Sequence, residues 1–174
     1  MAESAELFET YSDDGTPTGL VLRSEVHRRG LWHRASNVLL FHPDGRFYLQ
    51  RRAATKDVWP NAWDLSVGEH LKPGESFEQA AYRGLAEELA VTDASLEPLG
   101  DVVRARVDAP EFGIHDHELQ QSFRGEYAGH VQPDPNEVSE VRLVELETLA
   151  RGIATDPDDY TPWLRARLSA FGYI

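Results

Sequence analysis

A chain of 174 residues, 41% hydrophobic and 27% charged, fits one globular domain with a sizeable core and argues against disorder. Its net charge of -13 sets the surface against nucleic-acid phosphate and anionic lipid as bulk partners, although metal-bound carboxylates can still receive a small anion. The absence of cysteine excludes disulfides, thiolate metal sites and thiol nucleophiles and suits the cytoplasm; the acidic segment Met1 to Glu6 lacks the apolar run of a signal peptide, and no apolar stretch is long enough to span a bilayer.

In chain order, Leu7 to Tyr11, Asp13-Asp14-Gly15 and Gly19 to Leu22 read as strand, turn, strand. The pattern returns at Asn37 to Phe41, Pro43-Asp44-Gly45 and Phe47 to Gln50, and Asp64 to Val67 reads as a short strand. After the break at Pro73-Gly74, Ser76 and Gln79 stand at capping-box spacing and predict a helix to about Leu89, with Phe77, Ala81 and Leu85 facing the core. Val102 to Val107, Leu119 to Tyr127 and Val141 to Val144 read as strands, and Asp108 to His117 as a loop. A short helix follows over Leu146 to Gly152, then a solvated loop or helix start at Asp156 to Asp159. A last helix, about Thr161 to Ala170, carries Leu164 and Leu168 on one face. Such an order implies an α/β fold in which helices pack on a mixed sheet.

The chemistry concentrates around Gly68 to Glu75 and the helix end Arg83 to Val91. Hard divalent cations take carboxylate oxygens and leave positions open for phosphate and water. Glu75 near the helix start and Glu87 and Glu88 near its end supply such oxygens for Mg²⁺ or Mn²⁺, and Arg83, one turn before Glu87, is placed to hold that carboxylate. Arg51 and Arg52, with Lys56 as a further candidate, suit phosphate oxygens. Trp32, Trp59 and Trp63 read as core or pocket wall, Trp63 being a candidate to face a ligand. His42, His115, His117 and His130 read as packed or hydrogen-bonded side chains.

Residues 69–91 resemble the Nudix box, Gly-x5-Glu-x7-Arg-Glu-U-x-Glu-Glu-x-Gly-U with U aliphatic. Glu75, Arg83, Leu85, Glu87, Glu88 and Val91 fall in register. Glu69 stands at the first glycine, Gly84 at the first glutamate and Ala90 at the last glycine. Further segments, Val26 to Arg34, Leu49 to Arg52, Trp59 to Val67, Asp116-His117-Glu118, Pro133 to Glu137 and Thr161-Pro162-Trp163, resemble the isopentenyl-diphosphate isomerase branch of that superfamily. The resemblance implies one Nudix domain over 1–174, an α/β/α sandwich around a mixed sheet. It also implies an isomerase-type metal set of His27, His33, His70, Asp116 and Glu118, Glu118 matching the isomerase glutamate that moves protons. The isomerase cysteine has Gly68 in its place. The expectation is therefore a metal-dependent hydrolase of a small-molecule diphosphate, of nucleoside or isoprenoid type. Glu118 is its base, Glu137 the second candidate, and Glu87 and Glu88 belong to the catalytic group. The alternatives are an isomerase working without cysteine and a binding module that has lost chemistry.

Overall fold

The computed structural model describes residues 6–174; residues 1–5, most of the acidic segment read as unlike a signal peptide, lie outside the described residues. Strand β1 (Leu7–Tyr11) pairs with β2 (Pro17–Leu22), and helix α1 (Arg23–Arg29) leads into the long β3 (Trp32–Phe41). Next come β4 (Phe47–Arg52), β5 (Trp63–Asp64), β6 (Val67–His70) and helix α2 (Phe77–Leu89). The chain ends with β7 (Ser95–Ala109), β8 (Ile114–Glu126), β9 (Val138–Val144), α3 (Leu146–Thr155) and α4 (Pro162–Ala170). β3 runs parallel to β8 from Trp32↔His117 to Phe41↔Glu126 and antiparallel to β6, so the sheet is mixed.

Alternation along β3 builds two cores. Val38 and Leu40 meet Leu85 and Leu89 of α2 on one face, while Leu39 and Phe41 meet Leu149 of α3 and Leu164 and Leu168 of α4 on the other. The result is the expected helix–sheet–helix sandwich. Leu85, Leu89, Leu164 and Leu168 are each fully buried, worth about 1.5–3 kcal/mol apiece. No helix among the described residues is long and apolar enough to cross a membrane.

Three readings change. The strand expected over Asp64 to Val67 is two pieces, β5 on β4 and β6 on β3. β3 and β4 share only the pair Phe41↔Phe47 and then splay. Ser66 fills the gap between them, accepting from the Leu40 N–H at 2.9 Å and donating to the Tyr48 carbonyl at 2.7 Å. The loop expected over Asp108 to His117 is mostly ladder, with Asp108↔His115 and Ala109↔Ile114 paired around one 3₁₀ turn at Pro110–Phe112. Its strands are exposed on one face and studded with charge, which hides the alternation. Helix α1 has no sequence-level expectation because seven residues are too short to show a period; Gly30 ends it in the left-handed conformation at φ 62°.

Helix α2 carries both halves of its capping box, Ser76 to the Gln79 N–H and Gln79 back to the Ser76 N–H. It ends at Ala90, also left-handed at φ 54°. A Cβ there costs roughly 1–2 kcal/mol, a penalty glycine lacks. Ala90→Gly is therefore expected to raise the thermal midpoint by about 2–4 °C. A lower midpoint in a denaturation scan would show that position 90 is not strained.

Candidate functional site

Four elements converge on one cluster. Helix α1 brings His27, β3 brings His33, β6 brings His70, and the β7–β8 hairpin brings Asp116 and, two residues on and on the same face, Glu118. One donor atom from each of His27, His33, His70 and Asp116 lies within 4.8 Å of the others. His33 Nε2 is 3.3 Å from Asp116 Oδ1 and 3.8 Å from Glu118 Oε1; His27 Nε2 is 3.8 Å from Asp116 Oδ1, and His70 Nε2 is 3.0 Å from Glu118 Oε1. The Leu31 carbonyl lies 3.0 Å from His33 Nδ1, so a proton there leaves the Nε2 lone pair facing the cluster. Phe8 walls the three imidazoles from one side.

His27 Nε2, His33 Nε2 and Asp116 Oδ1 are buried and make no hydrogen bond. Each such atom costs about 1–3 kcal/mol unless something satisfies it. A divalent cation would do so, and imidazole nitrogen mixed with carboxylate oxygen would suit Mn²⁺ better than Mg²⁺. Burial, reinforced by the neighbouring imidazoles, pushes His27 and His70 down to about 3, so both are neutral and ligand-competent at ordinary pH. His33 differs: burial pulls it down, but Asp116, Glu118 and the Leu31 carbonyl outweigh that and raise it.

The expected acid trio is not assembled in the same way. Glu75 is held by Arg83, Nε to Oε1 and Nη2 to Oε2, both at 2.8 Å, and its Oε2 also accepts the Lys72 N–H. It braces the loop instead of facing a ligand. Glu87 is more than half exposed on the rim, 3.3 Å from Arg83 and 3.6 Å from Lys72. Glu88 is 6% exposed, and burial, then the nearby Glu69, drives it up to about 8. Arg83 holds Glu87 as expected, and it also holds Glu75 and, at 3.1 Å, Glu69.

A cleft of about 700 Å³ joins the two sides, with His70, Asp116 and Glu118 on one and Glu69, Arg83 and Glu88 on the other. Of the expected phosphate contacts, Arg52 and Lys56 line it. Arg51 and Trp63 do not. Arg51 donates to the Asn61 carbonyl at 2.8 Å and lies over the ring of Trp63, which is a core residue. Adjacent residues of a strand point to opposite faces, so only one of the two arginines reaches the cleft. Glu137 also lines the cleft but is ion-paired with Lys56.

Trp59 and Trp163, ring centres 5.2 Å apart, form an aromatic wall. Further lining residues without a role assigned from the sequence include Arg23, Asn37 and Asp64. Asp64 is buried and accepts from Arg52, Thr161, Trp163 and its neighbour's N–H, tying α4 to the cleft floor. Its only sequence signal is an acid inside an apolar strand run.

A family model described as NUDIX domain matches residues 31–164. An isopentenyl-diphosphate Delta-isomerase of Nocardia farcinica is 40% identical over 157 residues, covering 90% of this chain and 89% of that protein. The crystal structure of DR0079 from Deinococcus radiodurans aligns with a TM-score of 0.68 at 25% identity, covering 86% of this chain and 90% of that one. A C. elegans Ap4A hydrolase aligns in fold with a TM-score of 0.55 at 23% identity over 79% of this chain and 96% of that one.

The buried imidazoles make metal-free stability pH-dependent. The unfolded chain protonates His27 near pH 6.5, the folded chain only near pH 3, so the contribution of His27 is complete above about 6.5 and is lost as pH falls toward 3. Urea midpoints of the metal-free protein across that window are expected to fall less steeply in His27→Gln than in the wild type. Identical slopes would mean that His27 titrates freely.

Proposed function

The chain belongs to the Nudix family, and from that premise we propose that its 174 residues act as one cytoplasmic domain, a divalent-metal-dependent hydrolase of a small-molecule diphosphate. The observation that carries the reading is the set of buried, unbonded ligand atoms of His27, His33 and Asp116 facing one another in a cleft that also holds Arg52 and Lys56. His27, His33, His70 and Asp116 would hold such a cation, which would supply Lewis acidity toward phosphate.

The chain's own groups do the rest. Arg52 and Lys56 draw in and orient the phosphates. Glu118, to which the Gln120 amide donates, accepts the proton of the attacking water as its oxygen bonds to phosphorus. Glu88, kept protonated near neutral pH, donates to the leaving oxygen as the P–O bond breaks. Glu137 is less available for this role because Lys56 already pairs with it. Trp59 and Trp163 offer a surface for the organic part of the substrate.

Phosphate release assayed across nucleoside and prenyl diphosphates is expected to require Mn²⁺ or Mg²⁺. Glu118→Gln should lower it about 10²–10⁴-fold with the fold intact. Release that survives chelation, or a fully active Glu118→Gln, would end the proposal.

One observation favours a second reading: the Nocardia relative is named an isomerase, and the histidine–carboxylate set is of isomerase type. Against it, position 68 carries no thiol. A Cβ on Gly68 meets nothing closer than Asn37 Oδ1 at 3.9 Å, so Gly68→Cys fits without strain. On the hydrolase reading the wild type incorporates no deuterium into isopentenyl diphosphate, whereas Gly68→Cys gains measurable exchange. Exchange by the wild type would transfer the assignment to an isomerase.

A further inference from the structure

The sheet face that carries the imidazole cluster stays polar beyond it. After His33, β3 places Ala35 and Asn37 on that face, and both line the cleft. Their register partners on β8 are Gln120 and Ser122, which follow Glu118 on the same face. Asn37 is 3%, Gln120 2% and Ser122 3% exposed. Asn37 Nδ2, Gln120 Oε1 and Ser122 Oγ are nevertheless without a hydrogen-bond partner. Strand spacing confines the three side chains to a patch about 5 Å by 7 Å. On β3 the face turns apolar only at Leu39.

Resting on the diphosphate-binding part of the reading above, we propose that Asn37, Gln120 and Ser122 form a polar subsite that receives a hydroxyl of the substrate's organic part. The class taken is then a hydroxyl-bearing organic diphosphate, not a hydrocarbon isoprenoid one.

The donor and acceptor pattern selects the group. Gln120 Nε2 donates to the Glu118 carboxylate, which as an ion only accepts, so the amide oxygen is the end left over. Asn37 thus offers a donor, Gln120 an acceptor, and Ser122 serves as either. A hydroxyl both gives and takes a proton bond and answers all three. A phosphate oxygen carries no proton for Gln120, and an ammonium cannot accept from Asn37. A hydrocarbon chain leaves all three unpartnered, and a site built this way discriminates strongly against a ligand that lacks the hydroxyl. Ala35, opposite Gln120 in register, puts only a methyl group at this part of the cleft lining. Trp59 and Trp163 line the same cleft, but they pack on carbon skeletons of either kind and do not tell them apart.

The test is calorimetric binding, with Mn²⁺, of isopentyl diphosphate and its singly hydroxylated analogues, the hydroxyl placed on each chain carbon in turn. The oxygen between the phosphorus atoms is replaced by CH₂ in every ligand to prevent cleavage. The best hydroxylated analogue is expected to bind the wild type about tenfold or more tighter than the parent. Asn37→Leu, close in size and without polar side-chain atoms, should erase that preference. Ser122→Ala should reduce it, and it carries the test if Asn37→Leu does not fold. A parent bound as tightly as every analogue would overturn the proposal and leave the diphosphate reading standing, as would a preference that survives in the folded variants. A hydroxyl preference that the variants lose, together with no phosphate release from any substrate by the wild type, would sink the hydrolase and leave this subsite standing. Binding of neither parent nor analogue would overturn both.

Discussion

The guanidinium of Arg83 is the constraint on which the site depends. It donates twice to Glu75 in the loop before α2 and once to the His70 carbonyl at the end of β6, and it pairs with Glu69 and Glu87. Loop, strand and helix are thereby fixed to one rigid planar group. Because the backbone of His70 is one of its acceptors, the carboxylates that Arg83 holds and the imidazole cluster share a mechanical link. Glu75 itself is held below the usual carboxylate range, chiefly by its hydrogen bonds from Arg83. It stays charged, and the brace persists down to acidic pH.

The cleft exists because the sheet does not stay whole. β3 continues with β6 and β8, β4 continues with β5 and β9, and the two halves part after one shared pair. Ser66 satisfies the backbone groups left at the split, which would otherwise be buried without partners. Into the opening the β3 half projects histidines and acids, and the β4 half projects Arg52 with Asp64 beneath it. The histidine–carboxylate cluster and the Arg52 side of the cleft thus come from different halves of one sheet.

Much of this was legible in the sequence, for identifiable reasons. The capping box marked α2 because its two side chains act within four residues, and the Pro43-Asp44-Gly45 turn marked β3 and β4 for the same local reason. The members of the histidine–carboxylate set lie up to 91 positions apart, from His27 to Glu118, and only family resemblance could join them. Local pattern could not say which of Arg51 and Arg52 faces the cleft, because that depends on the phase of the pleat. Nor could it say that Glu75 is held by Arg83 while Glu69 lines the cleft, because both are acids at loop or strand ends. Helix α1 was too short for a period, although it carries a member of the cluster.

The three departures from the box differ in kind, and the difference bears on whether the chain is a decayed binding module. Drift in an unused site would scatter substitutions without regard to contact. Here two of the three are neighbours: a Cβ on Gly84 would lie 3.3 Å from Glu69 Cβ and 2.5 Å from Val67 Cγ1. Ala90, by contrast, is a local strain that nothing nearby relieves. A site without a ligand would also be destabilised by the unbonded nitrogens of His27 and His33 and the unbonded oxygen of Asp116, at about 1–3 kcal/mol each, a large fraction of the stability of a domain this size. Replacing any of them with an apolar residue would relieve that burden. All three meet at a cleft that Arg52 and Lys56 line, an arrangement that fits a divalent cation beside an anionic ligand.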